Sequence, residues 1–223
     1  MDTMSTDAGA DYVAMRHAMV ASQLRPNAVD DPRVIAAMAS IPREHFLPAD
    51  ARLLAYRDGA IPLGNARWAN LPMTTGRLLT EARLAASDRV LLIGAAGGYA
   101  AAVLAEIVAQ VVAVEGDPAL AALARDAFVG RPRVTLVEAP LGDGHADGAP
   151  YDVLIVDGAM EIVPEALIAQ VRTGGRVVAG IVDRGVTRLA TGLRTEGGFA
   201  LVPFADLECV VLPGFAAPRP FAF

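Results

Sequence analysis

The feature that most constrains the fold is a regular alternation of strand-like and helix-like segments that begins at Arg89. Short apolar runs of strand length lie at 89–93, 111–115, 134–137, 153–157 and 175–182. Amphipathic patterns of helical period lie between them, at 99–109, 118–128 and 164–171. This alternation is typical of a parallel sheet with crossover helices. Three more apolar runs follow without intervening helices, at 186–193, 199–204 and 207–212, so we expect antiparallel strands to finish the sheet.

The residues before this alternation have a different pattern. Apolar side chains recur at helical spacing over 12–24, and Asp31 followed by Pro32 is typical of a helix start. A proline-bounded segment, 41–48, and a connecting loop, 61–72, lead to a helix near 74–84. We therefore expect a helical cap with a substrate-side loop over 1–72 and an α/β domain over 73–223, packed as one compact unit.

A small-residue turn after the first strand is the strongest sign of a binding site. The segment Val90-Leu-Leu-Ile-Gly-Ala-Ala-Gly-Gly-Tyr99 predicts a strand, a turn without side-chain bulk and the start of a helix. Such a turn lets backbone N–H groups approach a nucleoside-bearing ligand. Glu115 ends the next strand, where a carboxylate can accept both ribose hydroxyls. The alternatives are that the glycines serve tight packing and that Glu115 caps a helix together with Asp117.

Composition excludes several classes of chemistry. All nineteen basic residues among Lys and Arg are arginines, so a lysine Schiff base and a GxxxxGK[ST] phosphate loop are both excluded. One cysteine and three scattered histidines cannot form a zinc cluster or an internal disulfide, so we expect no metal and a reducing, cytoplasmic setting. A net charge of −6 argues against nucleic acid as a partner. We also expect neither a secretory signal nor a membrane span, because the apolar stretch 91–114 is interrupted by glycines and polar residues.

The frame of the turn, Gly94-Ala-Ala-Gly-Gly98, resembles the first motif of class I S-adenosylmethionine-dependent methyltransferases. Further segments resemble one family within that class, the protein-L-isoaspartate O-methyltransferases. They include Met19-Val-Ala-Ser-Gln-Leu-Arg25, Asp31-Pro-Arg-Val-Ile-Ala-Ala-Met38, Ile41-Pro-Arg-Glu-His-Phe-Leu-Pro48, Ile61-Pro-Leu-Gly64 and Ala149-Pro-Tyr-Asp-Val-Leu-Ile-Val156. Together the similar segments span about residues 15 to 182 in family order.

The resemblance implies a Rossmann-like class I methyltransferase fold with S-adenosylmethionine as cofactor. The domain over 73–223 would then bind that cofactor. The residues that the resemblance and the strand pattern assign to the cofactor are Gly94, Ala96, Gly98, Tyr99, Glu115 and Gly116. The implied reaction is methyl transfer to the side-chain carboxylate of isoaspartyl residues in damaged proteins. A carboxylate is already ionised at pH 7, so this reaction needs no general base.

The sequence departs from the family pattern in the acceptor loop and in the nucleotide motif. Where the family has a G-Q-T-I-S-Q-P-like loop with a serine at the reaction centre, this chain has Asn70 at the serine position. Leu92 replaces an acidic residue of the nucleotide motif, and Ala96 replaces its central glycine. We expect Ala96 to be accommodated without a positive φ.

Three further residues are candidates for the acceptor side. Arg67 and Trp68 stand in the altered loop and could bind an anionic or flat substrate, and the alternative is a solvated arginine and a packed tryptophan. Asp157 ends the fourth strand, where it could orient the substrate or cap the turn that follows. Two alternatives to isoaspartyl methylation therefore stay open. One is a catalytically silent paralogue that binds adenosylmethionine or a partner, and the other is a methyltransferase for a different acceptor.

Overall fold

The computed structural model describes residues 4–217 of the chain, and the side chains of residues 12–217. Nine strands and six α-helices are present in this part. The helices are α1 (Met4–Met19), α2 (Pro32–Ser40), α3 (Pro72–Glu81), α4 (Tyr99–Ala105), α5 (Pro118–Ala127) and α6 (Glu165–Ala169). A π-helical turn, Val20–Leu24, extends α1, and short 3-10 turns follow at Arg25–Asn27, Arg43–Phe46 and Ala49–Leu54.

Seven of the strands form one sheet. They are β3 (Arg89–Ile93), β4 (Gln110–Glu115), β5 (Val134–Glu138), β6 (Tyr151–Met160), β7 (Val171–Asp183), β8 (Val186–Thr195) and β9 (Gly198–Ala205). Their order is β5-β4-β3-β6-β7-β8-β9. The first five in this order are parallel, and β8 and β9 are antiparallel to their neighbours. The predicted α/β class, with a mostly parallel sheet and antiparallel C-terminal strands, is confirmed.

Alternate side chains of β3 show how both faces of the sheet are covered. Val90 and Leu92 belong to one core cluster, Leu91 and Ile93 belong to another, and all four are fully buried. A strand buried on both faces reads as a continuous apolar run, which is why β3 was predictable to the residue. Leu92, which stands at the position of an acidic residue in the family motif, is part of this packing.

Several predictions about elements were wrong. The loop 61–72 contains a hairpin, β1 (Ile61–Gly64) and β2 (Arg67–Ala69), whose strands pair with each other. The run 207–212 is not a sheet strand, because it makes only an isolated bridge between Val211 and Ala159. The helix predicted over 99–109 ends at Ala105.

None of the helices in the described residues is long and apolar enough to cross a bilayer.

Candidate functional site

The candidate site lies where the order of the strands reverses. β3 has β4 on one side and β6 on the other, so the crossover helices leave a crevice at the carboxyl ends of these strands. The glycine turn follows β3, Glu115 is the last residue of β4, and Asp157 lies within the extended β6. The topology therefore brings the predicted cofactor and acceptor residues to one edge of the sheet.

The turn after β3 depends on left-handed backbone at three positions. Gly94 has φ +80° and Gly98 has φ +100°, which glycine adopts without strain. Ala96 has φ +50°, so the expectation that alanine avoids a positive φ here was wrong. The Ala96 N–H donates to Oε2 of Glu115 at 2.6 Å, which explains what the strained conformation achieves.

The glycines also serve tight packing. A Cβ on Gly97 would lie 2.0 Å from the Phe46 carbonyl oxygen, and a Cβ on Gly98 would lie 2.6 Å from the Phe128 ring. The turn therefore packs against the N-terminal cap on one side and against the end of α5 on the other. Of the two interpretations of the glycine turn, tight packing accounts for these two glycines in this conformation.

Glu115 is completely buried and is bound on both carboxylate oxygens. Arg67 makes a bidentate ion pair with it, in which Nη1 donates to Oε1, and Nη2 donates to Oε2 at 2.9 Å. The backbone N–H groups of Gly116 and Asp117 donate to Oε1, each at 2.9 Å, and Ala96 donates to Oε2. Glu115 does not cap α5: Asp117 does, by accepting from the N–H groups of Ala119 and Leu120.

Arg67 is therefore not positioned to bind an anionic substrate, which was one of the two interpretations of this residue. Its side chain is 4% exposed, and both terminal nitrogens are used on Glu115. In this conformation the terminal nitrogens of its guanidinium are not available to a substrate carboxylate. Trp68, the next residue, is 46% exposed and lines a small cavity beside the turn, so it is not a packed core side chain.

Asn70 and Asp157, the two predicted catalytic residues, are hydrogen-bonded to each other. The Asn70 amide donates to Oδ1 of Asp157 at 2.8 Å, and its own Oδ1 accepts from the Val210 N–H at 2.9 Å. Thr75 also donates to Oδ1 of Asp157, at 3.0 Å. Burial raises the pKa of Asp157, and the hydrogen bonds from Asn70 and Thr75 oppose that rise only in part.

Arg43 is a site residue that the sequence reasoning missed. It is 2% exposed, its Nη2 donates to the Asn70 carbonyl oxygen at 2.5 Å, and its guanidinium lies 4.7 Å from the centre of the Tyr99 ring. Burial lowers the pKa of Arg43 and raises that of Tyr99. The Nε of Arg43 and the hydroxyl of Tyr99 are buried without a hydrogen-bond partner. The Pro-Arg-Glu-His-Phe-Leu-Pro block signalled the family but not this role.

The cavity at this edge is small. Its volume of about 20 Å³ has room for about one water molecule. Six of the predicted residues line it, namely Trp68, Asn70, Gly94, Ala96, Tyr99 and Asp157. Arg67, Gly98, Glu115 and Gly116 are not among its lining residues. No group of three or more His, Cys, Asp or Glu side chains that could hold a metal is found in the described part of the chain.

Comparison with known proteins decides the family. The profile of the family described as "Protein-L-isoaspartate(D-aspartate) O-methyltransferase (PCMT)" matches residues 15–200. The chain belongs to this family. A protein-L-isoaspartate O-methyltransferase of Methanoculleus marisnigri is 37% identical over 202 residues, covering 89% of this chain and 91% of the relative. Another, from Rhodopseudomonas palustris, is 41% identical over 209 residues, covering 91% and 96%.

Solved structures agree with this on the fold. A protein-L-isoaspartate O-methyltransferase superposes with a TM-score of 0.76 at 23% identity, and the match covers 89% of this chain and 66% of that chain. A second one, from Plasmodium falciparum in complex with S-adenosyl-L-homocysteine, has a TM-score of 0.75 at 14% identity and covers 88% and 97%. The family and fold read from the sequence are confirmed, and so is S-adenosylmethionine as the family's cofactor.

The cofactor site of this chain fits S-adenosylmethionine in its residue types but not in its present arrangement. The glycine turn and an acidic residue at the end of β4 are the groups that a nucleoside needs. However, every strong acceptor position of Glu115 is used by protein donors. The cavity of about 20 Å³ beside the turn is also not lined by Glu115.

Proposed function

We propose that this chain methylates the side-chain carboxylate of isoaspartyl residues in damaged proteins, with S-adenosylmethionine as the methyl donor. The observation that carries the proposal is the position of Asn70. It stands at the family's serine position and lines the same cavity as Gly94 and Asp157, at the switch point of the sheet. We place this activity in the cytoplasm, since the single cysteine precludes an internal disulfide.

The groups around the cavity suit an anionic acceptor that needs no deprotonation. Arg43 supplies a buried positive charge with an unpaired Nε, and we assign to it the role that was predicted for Arg67. Burial raises the pKa of the Asp157 carboxyl group, which lines the same cavity. Asn70 and Thr75 hold that carboxyl group in place. The residues would thus align the acceptor and keep water out, which contributes to rate through proximity.

A second candidate function is favoured by the occupied carboxylate of Glu115. If Arg67 never leaves it, the chain is a catalytically silent member of the family that binds partners without transferring a methyl group. Methyl transfer to a different acceptor is the remaining alternative, and the following assay tests all three.

The deciding measurement is transfer of labelled methyl groups from S-adenosylmethionine to an isoaspartyl peptide. The control is the same peptide with an ordinary aspartyl residue. Base-labile label on the isoaspartyl peptide alone is the expected result. Label on neither peptide contradicts the proposal, and base-stable label on either peptide would indicate another acceptor group.

The variant Arg43→Met tests the acceptor side. Loss of a hydrogen bond to a charged group costs about 1.5–3 kcal/mol, so we expect kcat/KM for the peptide to fall by about ten- to a hundredfold. The fall should come mainly through KM, while affinity for S-adenosylhomocysteine stays unchanged. Arg176→Met is the matched control, because Arg176 pairs with Asp88 at the far end of the strands. An unchanged KM in Arg43→Met would remove Arg43 from the acceptor site.

A further inference from the structure

We propose that Arg67 competes with the cofactor for Glu115, so that the hairpin formed by β1 and β2 is a gate on the cofactor site. In this structure the gate is closed, and the nucleoside binds only after Arg67 has left the carboxylate. The inference rests on the proposed function for the identity of the cofactor. It goes beyond that function in assigning to this chain an internal competitor for its own ligand.

The first argument is the saturation of Glu115. Two carboxylate oxygens offer about four lone-pair positions. Five N–H groups already point at them: two from Arg67 and one each from Ala96, Gly116 and Asp117. Ribose hydroxyls could bind this carboxylate only by replacing donors that are present.

The second argument is that the donors fall into two kinds. The three backbone N–H groups belong to the turn after β3 and to the residues that follow β4, so they hold the carboxylate whether or not Arg67 is there. The arginine reaches Glu115 from a separate element, 48 residues earlier in the chain. Its two terminal nitrogens donate to different oxygens, as two neighbouring hydroxyls would. Arg67 is therefore the partner that a ribose can replace.

The third argument concerns how the hairpin is attached. The hairpin is anchored in the core at its first residue and just after its last, since Ile61 is fully buried and Leu71 is 5% exposed. Its tip is held by polar contacts: Asn65 donates to Oδ2 of Asp117 at 2.9 Å, and Arg67 binds Glu115. The two turn residues, Asn65 and Ala66, both have positive φ, which L-residues other than glycine rarely adopt. Polar contacts at the tip can exchange for water while the anchored ends stay fixed.

The energetics allow such an exchange. A buried ion pair gains Coulomb energy but loses the hydration of both charges, so its net stabilisation is small compared with its attraction. On leaving, Arg67 regains water, and the ribose hydroxyls take over its positions on Glu115. The apparent affinity for the cofactor is then the intrinsic affinity multiplied by the fraction of open molecules.

The test is calorimetric titration of S-adenosylhomocysteine into the full chain and into Arg67→Met. The gate predicts binding at least about tenfold tighter in the variant, because the competitor is gone. Arg176→Met, which breaks a partly buried arginine–carboxylate pair elsewhere, should bind like the unaltered chain. A merely structural role for Arg67 predicts the reverse, since loss of a support for Glu115 would weaken binding.

Trp68 provides a second readout that does not depend on activity. It is the only tryptophan of the chain, and it follows Arg67 in β2. We expect S-adenosylhomocysteine to change its emission in the unaltered chain. In Arg67→Met the emission before titration should already resemble the ligand-bound state.

Asn65→Ala keeps the test decisive if Arg67→Met does not fold. It removes the exposed contact to Asp117 and leaves the buried pair intact, so it should tighten binding by a smaller factor. Equal or weaker binding in the folded variants overturns the gate, and isoaspartyl methylation can still stand. Absence of binding in all variants overturns the gate and the proposed function together.

Discussion

At the scale of single residues, Ala96 shows backbone strain retained at the candidate site. Its φ of +50° costs an L-residue about 1–2 kcal/mol, and glycine would avoid that cost while losing about 0.4–1 kcal/mol through a freer unfolded chain. We therefore expect Ala96→Gly to raise the free energy of unfolding by about 0.5–1 kcal/mol, measured by urea denaturation.

The matched control for this prediction is Ala95→Gly. Ala95 is the neighbouring residue of the same turn, and it does not have a positive φ. Glycine there should lower stability, because no strain is relieved. If Ala96→Gly and Ala95→Gly lower the free energy of unfolding equally, the positive φ of Ala96 does not carry the expected cost.

The buried carboxyl group of Asp157 predicts that the unaltered chain and Asp157→Asn differ in how their stability depends on pH. Burial raises its pKa in the folded state above the unfolded value, so its contribution is fully present below the unfolded pKa and is lost as pH rises through the folded pKa. Asp157→Asn keeps an acceptor for Asn70 and Thr75 but carries no charge. The variant should be more stable than the unaltered chain at pH 7, and the advantage should shrink as the pH falls and be lost below about pH 4.

Chemical denaturation of both proteins at several pH values measures this difference directly. Other titrating groups cancel, since they are common to the two proteins. Greater stability of the unaltered chain at pH 7 would contradict the prediction. It would mean that the positive charge of Arg43 stabilises the Asp157 carboxylate by more than burial destabilises it.

Residue identities were more predictable than residue partners. Glu115 could be found because an acidic residue at the end of the second strand has a general role in nucleoside sites. Its pairing with Arg67 could not, because the two are 48 residues apart and no local pattern joins them. The role of Arg43 was not predicted for the same reason, because it depends on contacts with Asn70 and Tyr99, which come from other parts of the chain.

At the scale of elements, predictability followed the strength of local periodicity. β3 and β4 are buried on both faces and read as unbroken apolar runs, so their bounds were right to within a residue. The hairpin was missed because β2 has only three residues and its turn, Asn65-Ala66, lacks the glycine that marks such turns. The element that closes the candidate site was therefore the hardest to predict.

The segment 207–212 shows the opposite error. Its apolar side chains suggested a strand, but they serve to cover the sheet. Leu212 is 4% exposed and packs so closely on the turn that a Cβ on Gly94 would lie 2.8 Å from it. Val210 is tied to the acceptor side, where its N–H donates to Asn70. Apolar composition alone does not distinguish a sheet strand from a segment that packs on the sheet and makes a single bridge.

At the scale of the whole molecule, one core cluster joins the N-terminal cap to the α/β domain. It includes Met19 and Phe46 from the cap and Val90 and Val178 from the sheet. A buried polar network lies within the cap itself. The Tyr56 hydroxyl donates to Oε2 of Glu44 at 2.5 Å and accepts from Arg16 and from the Arg43 N–H, each at 3.2 Å. We infer that the cap and the domain fold as one cooperative unit.

The variant Tyr56→Phe tests this unity. Burial and the adjacent Glu44 raise the pKa of Tyr56 to about 12, so its phenol stays protonated and is the donor to a carboxylate that is 6% exposed. Removing the hydroxyl leaves the buried Oε2 of that carboxylate without its hydrogen bond, at a cost of about 1–3 kcal/mol. By calorimetry we expect a single transition whose van't Hoff and calorimetric enthalpies agree, and the variant should lower the midpoint of the whole transition. Separate units would instead show two transitions, of which only the one that belongs to the cap would move.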